Sequence, residues 1–394
     1  MNRLSLSILF IALYSSTLFG YKITSGSISF YSERLNIEYN TDLFRSKNIE
    51  INEQSILSYY KLLEYSDYRI LLENIQKISA QLKLNDWLHF ELLNTAVAEF
   101  ASDLPALNRS LITWFLASKS GWNTRLAYTK EEVYIYLQSD DEVFEVPMIE
   151  DNGKVFINAS HIIRNHRNRV KRKAIYLLNF KPNPNGRSFQ FRLQKLPQLH
   201  ERLQKKKVHF RYGTQAYEIT IEVDNNIKRL LRDYPLVAES SYITVGLSPT
   251  LKRTLLPKVK QLIADKTIAE GLQFIAAFTR TAFEYKEDND YFGMSKPMIA
   301  DELFQYAYSD CEDRSALFYN LVKEIYNLPM LIVTFPDHLT IAVAFDCPEG
   351  DAIRYHGKKY YICDPTGPIN SIRIGNVPKE YQNQKMTIME LPGK

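Results

Sequence analysis

The sequence predicts an α+β chain built in several parts. Three observations carry that expectation. A chain of 394 residues exceeds what one small core accommodates. Helical three-and-four periodicity and strand-like alternation occur in separate blocks rather than in strict succession. The 26 Tyr and 21 Phe suit sheets packed with aromatic rings. Hydrophobic residues at 45% and charged residues at 24% are those of an ordinary folded protein, and a net charge of +4 is too small to point to nucleic acid.

The blocks follow in order. Residues 1–20 carry Arg3 and then an uncharged run from Leu4 to Gly20, the pattern of a signal peptide, which implies export to the periplasm or cell envelope. No other segment approaches the roughly 20 apolar residues of a membrane span, so no integral span is expected beyond it. Residues 21–160 read as an N-terminal α+β domain. Short strands in "ITSGSISF" and "RLNIEYN" precede helices, one of them entered through Asn85 and Asp86 and another ending at Gly121. Strands "TRLAYT", "EEVYIYLQS" and "KVFINAS" follow, the last after the turn Asp151-Asn152-Gly153.

Residues 161–175, "HIIRNHRNRVKRKAI", form a basic linker, readable as a solvated connector or as a polyanion-binding patch. From 161 to 247 a β-rich, β-sandwich-like middle domain is expected, on the strength of "SFQFRLQKL", "VHFRYG", "AYEITIEVD" and "SYITVGL". Residues 248–394 return to helices, with Leu262, Ile268, Leu272, Ile275 and Phe278 as core positions, before further strands.

The chemistry centres on "YSDCEDRSALFYNLVKEIYNLP". Ser309 or Asp310 can cap a helix that opens with Cys311 and stops before Pro329. Unpaired amides and the helix dipole there favour a thiolate, while Glu312 and Asp313 oppose it, so a cationic partner is required. His338 opens the strand "HLTIAVAF", and Asp364 ends the strand "KKYYICD" just before Pro365. An imidazole on a strand and a carboxylate that fixes its tautomer complete a nucleophilic Cys-His-Asp set.

The three cysteines exclude a disulfide framework but allow one bridge, with Cys347 and Cys363, which flank a hairpin, as the pair. Neither they nor His356, read as a hairpin tip, fall in a metal-ligand spacing, and no glycine-rich phosphate loop is present; no metal or cofactor is expected.

Through "SDCEDRS", "FPDHLTIAV" and "KKYYICDPT", residues 255 to 385 resemble the transglutaminase-like superfamily of papain-like cysteine enzymes. The resemblance implies a papain/transglutaminase-like domain in which the helix bearing Cys311 packs on an antiparallel sheet bearing His338 and Asp364. Cys311 would attack an amide carbonyl, His338 would act as base and then acid, and Asp364 would orient it. Asp313 and Arg314 recur in such motifs in a structural capacity. The substrate class implied is a peptide, protein or peptidoglycan-type amide, with no nucleic-acid partner. Oxyanion donors are the Cys311 amide and one of Gln305, Tyr306 or Tyr308. A non-catalytic envelope scaffold on the same fold is the alternative.

An internal echo extends the reading. Pairing Arg109 and Ser110 with Arg314 and Ser315 aligns helix, turn and strands, and sets Ala106 against Cys311, Val133 against His338, and Asn158 or Ala159 against Asp364. Residues 50 to 160 are therefore expected either as a degenerate transglutaminase-like domain without its triad or as an unrelated α+β domain.

Overall fold

In the computed structural model, residues 23–164, 175–347, 350–367 and 373–389 are described. The signal segment and most of the basic linker lie outside them. No helix among the described residues is long and apolar enough to cross a membrane.

The chain begins with a hairpin, β1 (Ile23–Phe30) and β2 (Glu33–Asn40), closed by Tyr31 and Ser32. Four helices follow: α1 (Glu53–Glu64), α2 (Arg69–Leu82), α3 (Asp86–Phe100) and α4 (Ala106–Lys119). Their starts obey local rules, since Asn52 and Asn85 accept hydrogen bonds from the third following residue's amide, and α2 stops where Lys83 turns left-handed. Strands β3 (Thr124–Tyr128), β4 (Val133–Gln138), β5 (Met148–Asp151) and β6 (Lys154–Asn158) come next, then α5 (Ala159–Ile163) and β7 (Tyr176–Leu177). They form a five-stranded sheet in the order β5-β6-β4-β3-β7, antiparallel at every pairing.

The second half repeats this plan with more helices. A hairpin of β8 (Leu203–Tyr212) and β9 (Gln215–Asp224) turns at Gly213 and Thr214. Helices α6 (Asn225–Leu231), α7 (Glu239–Thr244), α8 (Pro249–Thr254), α9 (Leu256–Leu262) and α10 (Ile268–Thr281) succeed it. Short elements β10 (Glu284–Tyr285), α11 (Asp288–Tyr291), α12 (Ala300–Leu303) and β11 (Tyr308–Ser309) lead into α13 (Cys311–Tyr326). Then come β12 (Met330–Phe335), β13 (His338–Val343), β14 (Ala352–Tyr355), β15 (Lys358–Ile362) and β16 (Thr387–Met389). Their sheet runs β14-β15-β13-β12-β16, again antiparallel throughout.

The two halves match element for element in their sheets. Each sheet follows a helix, each edge hairpin turns through a left-handed pair (Asn152-Gly153 and His356-Gly357), and each half opens with a hairpin whose last residue caps a helical turn, Asn40 the 3-10 turn Thr41–Phe44 and Asp224 the helix α6. The segment expected to echo the C-terminal sheet thus has the same strand order and connectivity.

One apolar cluster unites the N-terminal helices and sheet around Trp87, Trp114 and Trp122 and takes in Tyr242, Val245 and Ile299. The other gathers β8, β9 and α10 around α13 and the inner face of the second sheet. Of the core positions expected in this half, Leu272, Ile275 and Phe278 are fully buried, whereas Ile268, the first residue of α10, is exposed.

The β-sandwich-like middle domain is not what these residues form. Between 175 and 247 the described residues supply only β7 and the β8–β9 hairpin, which packs on α8 and α10 rather than on a second sheet. "SFQFRLQKL" is extended but builds no ladder. Phe189 and Phe191 bury their rings together, the Phe189 amide donates to the Gln138 carbonyl, and the amides of Gln190 and Phe191 donate to the carboxylates of Asp86 and Asp141. "SYITVGL" is largely α7, held against α13 by Asn320 Nδ2 donating to the Ile243 carbonyl at 2.9 Å. Tertiary partners override strand propensity in both segments.

Candidate active site

Residues 310–315 are fixed before any chemistry is considered. Asp310 is the N-cap of α13, in a reciprocal capping box with Asp313, and the other Asp313 oxygen accepts from the Met298 amide at 2.8 Å. Arg314 fans three nitrogens onto Ser309 Oγ, the Thr366 carbonyl and the Phe283 carbonyl at 2.8–3.2 Å. Ser315 Oγ donates to the Leu339 carbonyl. These bonds tie the first turn of α13 to β13 and to the loop after β15, the elements that carry His338 and Asp364.

His338 is the first residue of β13, and its Nε2 lies 3.2 Å from Asp364 Oδ2 and 3.2 Å from Thr366 Oγ1. Thr366 also donates to Asp364 Oδ1 through its hydroxyl at 2.7 Å and its amide at 2.9 Å. Burial would raise the Asp364 carboxyl, but His338 and the Thr366 donors outweigh it and hold it below the usual range. An ionised carboxylate only accepts, so the imidazole proton belongs on Nε2 and the lone pair on Nδ1. The ring stacks on Tyr381 with centroids 4.8 Å apart and planes 4° from parallel.

Cys311 is the first residue of α13 and is buried. Among the described residues its thiol is not bonded to His338; it donates to Glu312 Oε2 at 2.9 Å. Burial first, then the Glu312 charge and hydrogen bond, push the thiol well above its ordinary pKa, opposed by the Leu339 backbone. The helix terminus expected to favour a thiolate is thus outweighed in this conformation.

The neighbourhood is acidic. Oxygens of Asp288, Asp310 and Glu312 lie within 4.8 Å of one another. Burial and mutual repulsion raise Asp310 and Asp313, and burial pushes Asp288 up to about 6. Three hard oxygen donors could hold a divalent cation. No metal-ligand spacing in the sequence announced this cluster, because Asp288 arrives from α11 and meets the other two only in the fold.

A cleft of about 1440 Å³ opens between the β8–β9 hairpin and this site, with His338, Asp364, Thr366, Tyr381, Arg280 and Tyr285 on its walls. Two of the expected oxyanion donors are placed elsewhere. Gln305 Nε2 donates to the Asp224 carbonyl at the end of β9, and the Tyr308 ring packs against Tyr291 at 4.7 Å. Tyr306 packs its ring on Phe292. The structure therefore joins His338 to Asp364, sets the Cys311 thiol against the backbone of Leu339, the residue after His338, and engages Gln305 elsewhere. Thr366, Tyr381 and Arg280 join the site without a sequence signal that singles them out.

None of Cys311, Cys347 and Cys363 is in a disulfide, so the expected bridge is not formed. In the N-terminal half, Ala106 opens α4 as Cys311 opens α13, and Val133 opens β4 as His338 opens β13. Counting from the two matching turns, Asp364 corresponds to Ser160, one residue beyond the expected Ala159; the Ser160 hydroxyl accepts from the Ile135 amide. No protein-family model, curated protein or solved structure matches this chain.

Proposed function

We propose that this is an exported thiol enzyme of the transglutaminase-like kind, acting on peptide or protein amides through Cys311, His338 and Asp364. The observation that carries the reading is the imidazole held through Nε2 by Asp364 and Thr366 on the wall of a large cleft, with a cysteine at a helix start whose thiol meets the backbone of Leu339, the residue after His338.

In the reaction, rotation of Cys311 away from Glu312 lets His338 Nδ1 take the thiol proton. Sulfur attacks the amide carbonyl, the C–N bond breaks as His338 returns the proton to the leaving amine, and a thioester remains. Water or an amine then displaces sulfur, giving hydrolysis or acyl transfer. The Cys311 amide supports the oxyanion.

A second reading, a non-catalytic envelope scaffold on the same fold, is favoured by the Cys311–Glu312 bond and the high thiol pKa. Alkylation separates the two. With iodoacetamide near neutral pH and mass-spectrometric readout, the enzyme reading expects Cys311 to label faster than the more accessible Cys347, and to slow in His338→Ala. Slower labelling of Cys311 than of Cys347, unchanged in His338→Ala, supports the scaffold.

A further inference from the structure

Arg280, near the end of α10, is 5% exposed and forms part of the cleft wall with His338 and Asp364. Its Nη2 donates to the Asp364 carbonyl at 2.5 Å. Its Nε is sealed from solvent with no hydrogen-bond partner among the described residues. Nη1 has no partner there either, yet is not among the sealed atoms, so it is the nitrogen that opens to the cleft.

The contrast with the molecule's other buried arginines is informative. Arg125 pairs with Asp151 at 2.7 Å, and Arg314 satisfies all three of its nitrogens with oxygen acceptors. Arg280 has no ion pair among the described residues, and the nearest carboxylate, Asp364, is already engaged by His338 and Thr366. A buried guanidinium without an anion is costly to maintain, and its planar donor edge is shaped for a carboxylate. Arg211, on the facing hairpin strand, also lines the cleft and has no ion pair among the described residues; Thr281 binds its backbone and so fixes strand β8 beside Arg280.

We propose that Arg280 seats a carboxylate of the substrate, so that the cleft selects peptides with an anionic group beside the amide presented to Cys311. The proposal rests on the thiol-enzyme reading for the cleft's role as substrate site. The carboxylate can be a free peptide C-terminus or an Asp or Glu side chain.

Binding tests it without chemistry at sulfur. Full-length Cys311→Ala protein is titrated with three fluorescein-labelled Ala/Gly hexapeptides: one with a free C-terminus, one amidated, and one amidated with an internal Glu. At least one carboxylate probe should bind about tenfold more tightly than the neutral one. The tighter of the two carboxylate probes identifies the source of the anion. Arg280→Gln in the same background should abolish the difference and Arg280→Lys should keep part of it, with circular dichroism confirming folding. Equal binding of acid and neutral probes, no binding of any, or a preference that survives Arg280→Gln overturns the proposal. Because these affinities need no thiol, their failure is distinct from failure of Cys311 to label in the alkylation assay.

Discussion

Burial first, and Glu312 after it, keep the Cys311 thiol protonated. The Glu312 carboxylate accepts the S–H at 2.9 Å and adds its charge to the burial that already raises the thiol. Glu312→Gln removes the like charge while leaving a group of the same shape. The expected outcome is alkylation of Cys311 about tenfold faster at pH 7, with the pH–rate profile displaced to lower pH by about one unit. An unchanged profile would assign the effect to burial alone. On the other side of the site, Thr366 and Asp364 hold His338 by Nε2, so the imidazole is oriented in the structure as it stands. On the proposed thiol-enzyme reading, Cys311 is the restrained nucleophile and His338 its base, and leaving Glu312 is the step that would join them.

At the scale of elements, side chains replace the strand ladder in the middle of the chain. Asp141 accepts from the amides of Phe191 at 2.7 Å and Arg192 at 3.1 Å, and so satisfies backbone donors that a sandwich strand would have paired. Asp141→Ala should cost about 1–3 kcal/mol, read as a lower urea midpoint with an unchanged slope. Helix α10 shows the opposite situation, in which local chemistry is enough. Thr267 and Glu270 form a capping box, so Thr267→Ala should cost about 1 kcal/mol without altering Cys311 labelling. An effect on labelling would show that the start of α10 is coupled to the site at its far end.

For the whole molecule, the half-buried Glu91 and the buried Asp301 shape the dependence of stability on pH. Burial pushes Glu91 in the first half up to about 7 and Asp301 in the second up to about 6. Both values lie above those of the unfolded chain. Each contribution is therefore complete below the unfolded pKa, and each is lost as pH rises through the folded one. Asp364, held low, acts in the opposite sense and loses its contribution as pH falls. Glu91→Gln, which can still accept from the Tyr31 hydroxyl, should match the parent at pH 4.5 and exceed it by about 1–2 kcal/mol at pH 8, as thermal unfolding will show. Equal stability at both pH values would place Glu91 in contact with water.

The sequence by itself determined the local features: the cap at Asn85, the turn at Asn152-Gly153, the hairpin tip at His356, and strands such as β3, β4, β6, β13 and β15. Each follows from short-range sterics or from alternation on a half-buried face. Cys311, His338 and Asp364 were legible because each sits at the end of such an element, and the low-identity echo around Ala106 was legible because its helix and strands keep the same spacing. Only the tertiary structure decided the rest. It made "SYITVGL" a helix against α13, gave Gln305 to the Asp224 carbonyl, brought Asp288 to Glu312, and left Arg280 buried without an anion beside Asp364. These outcomes depend on which distant groups compete for a buried donor or charge, and that competition exists only once the chain has packed.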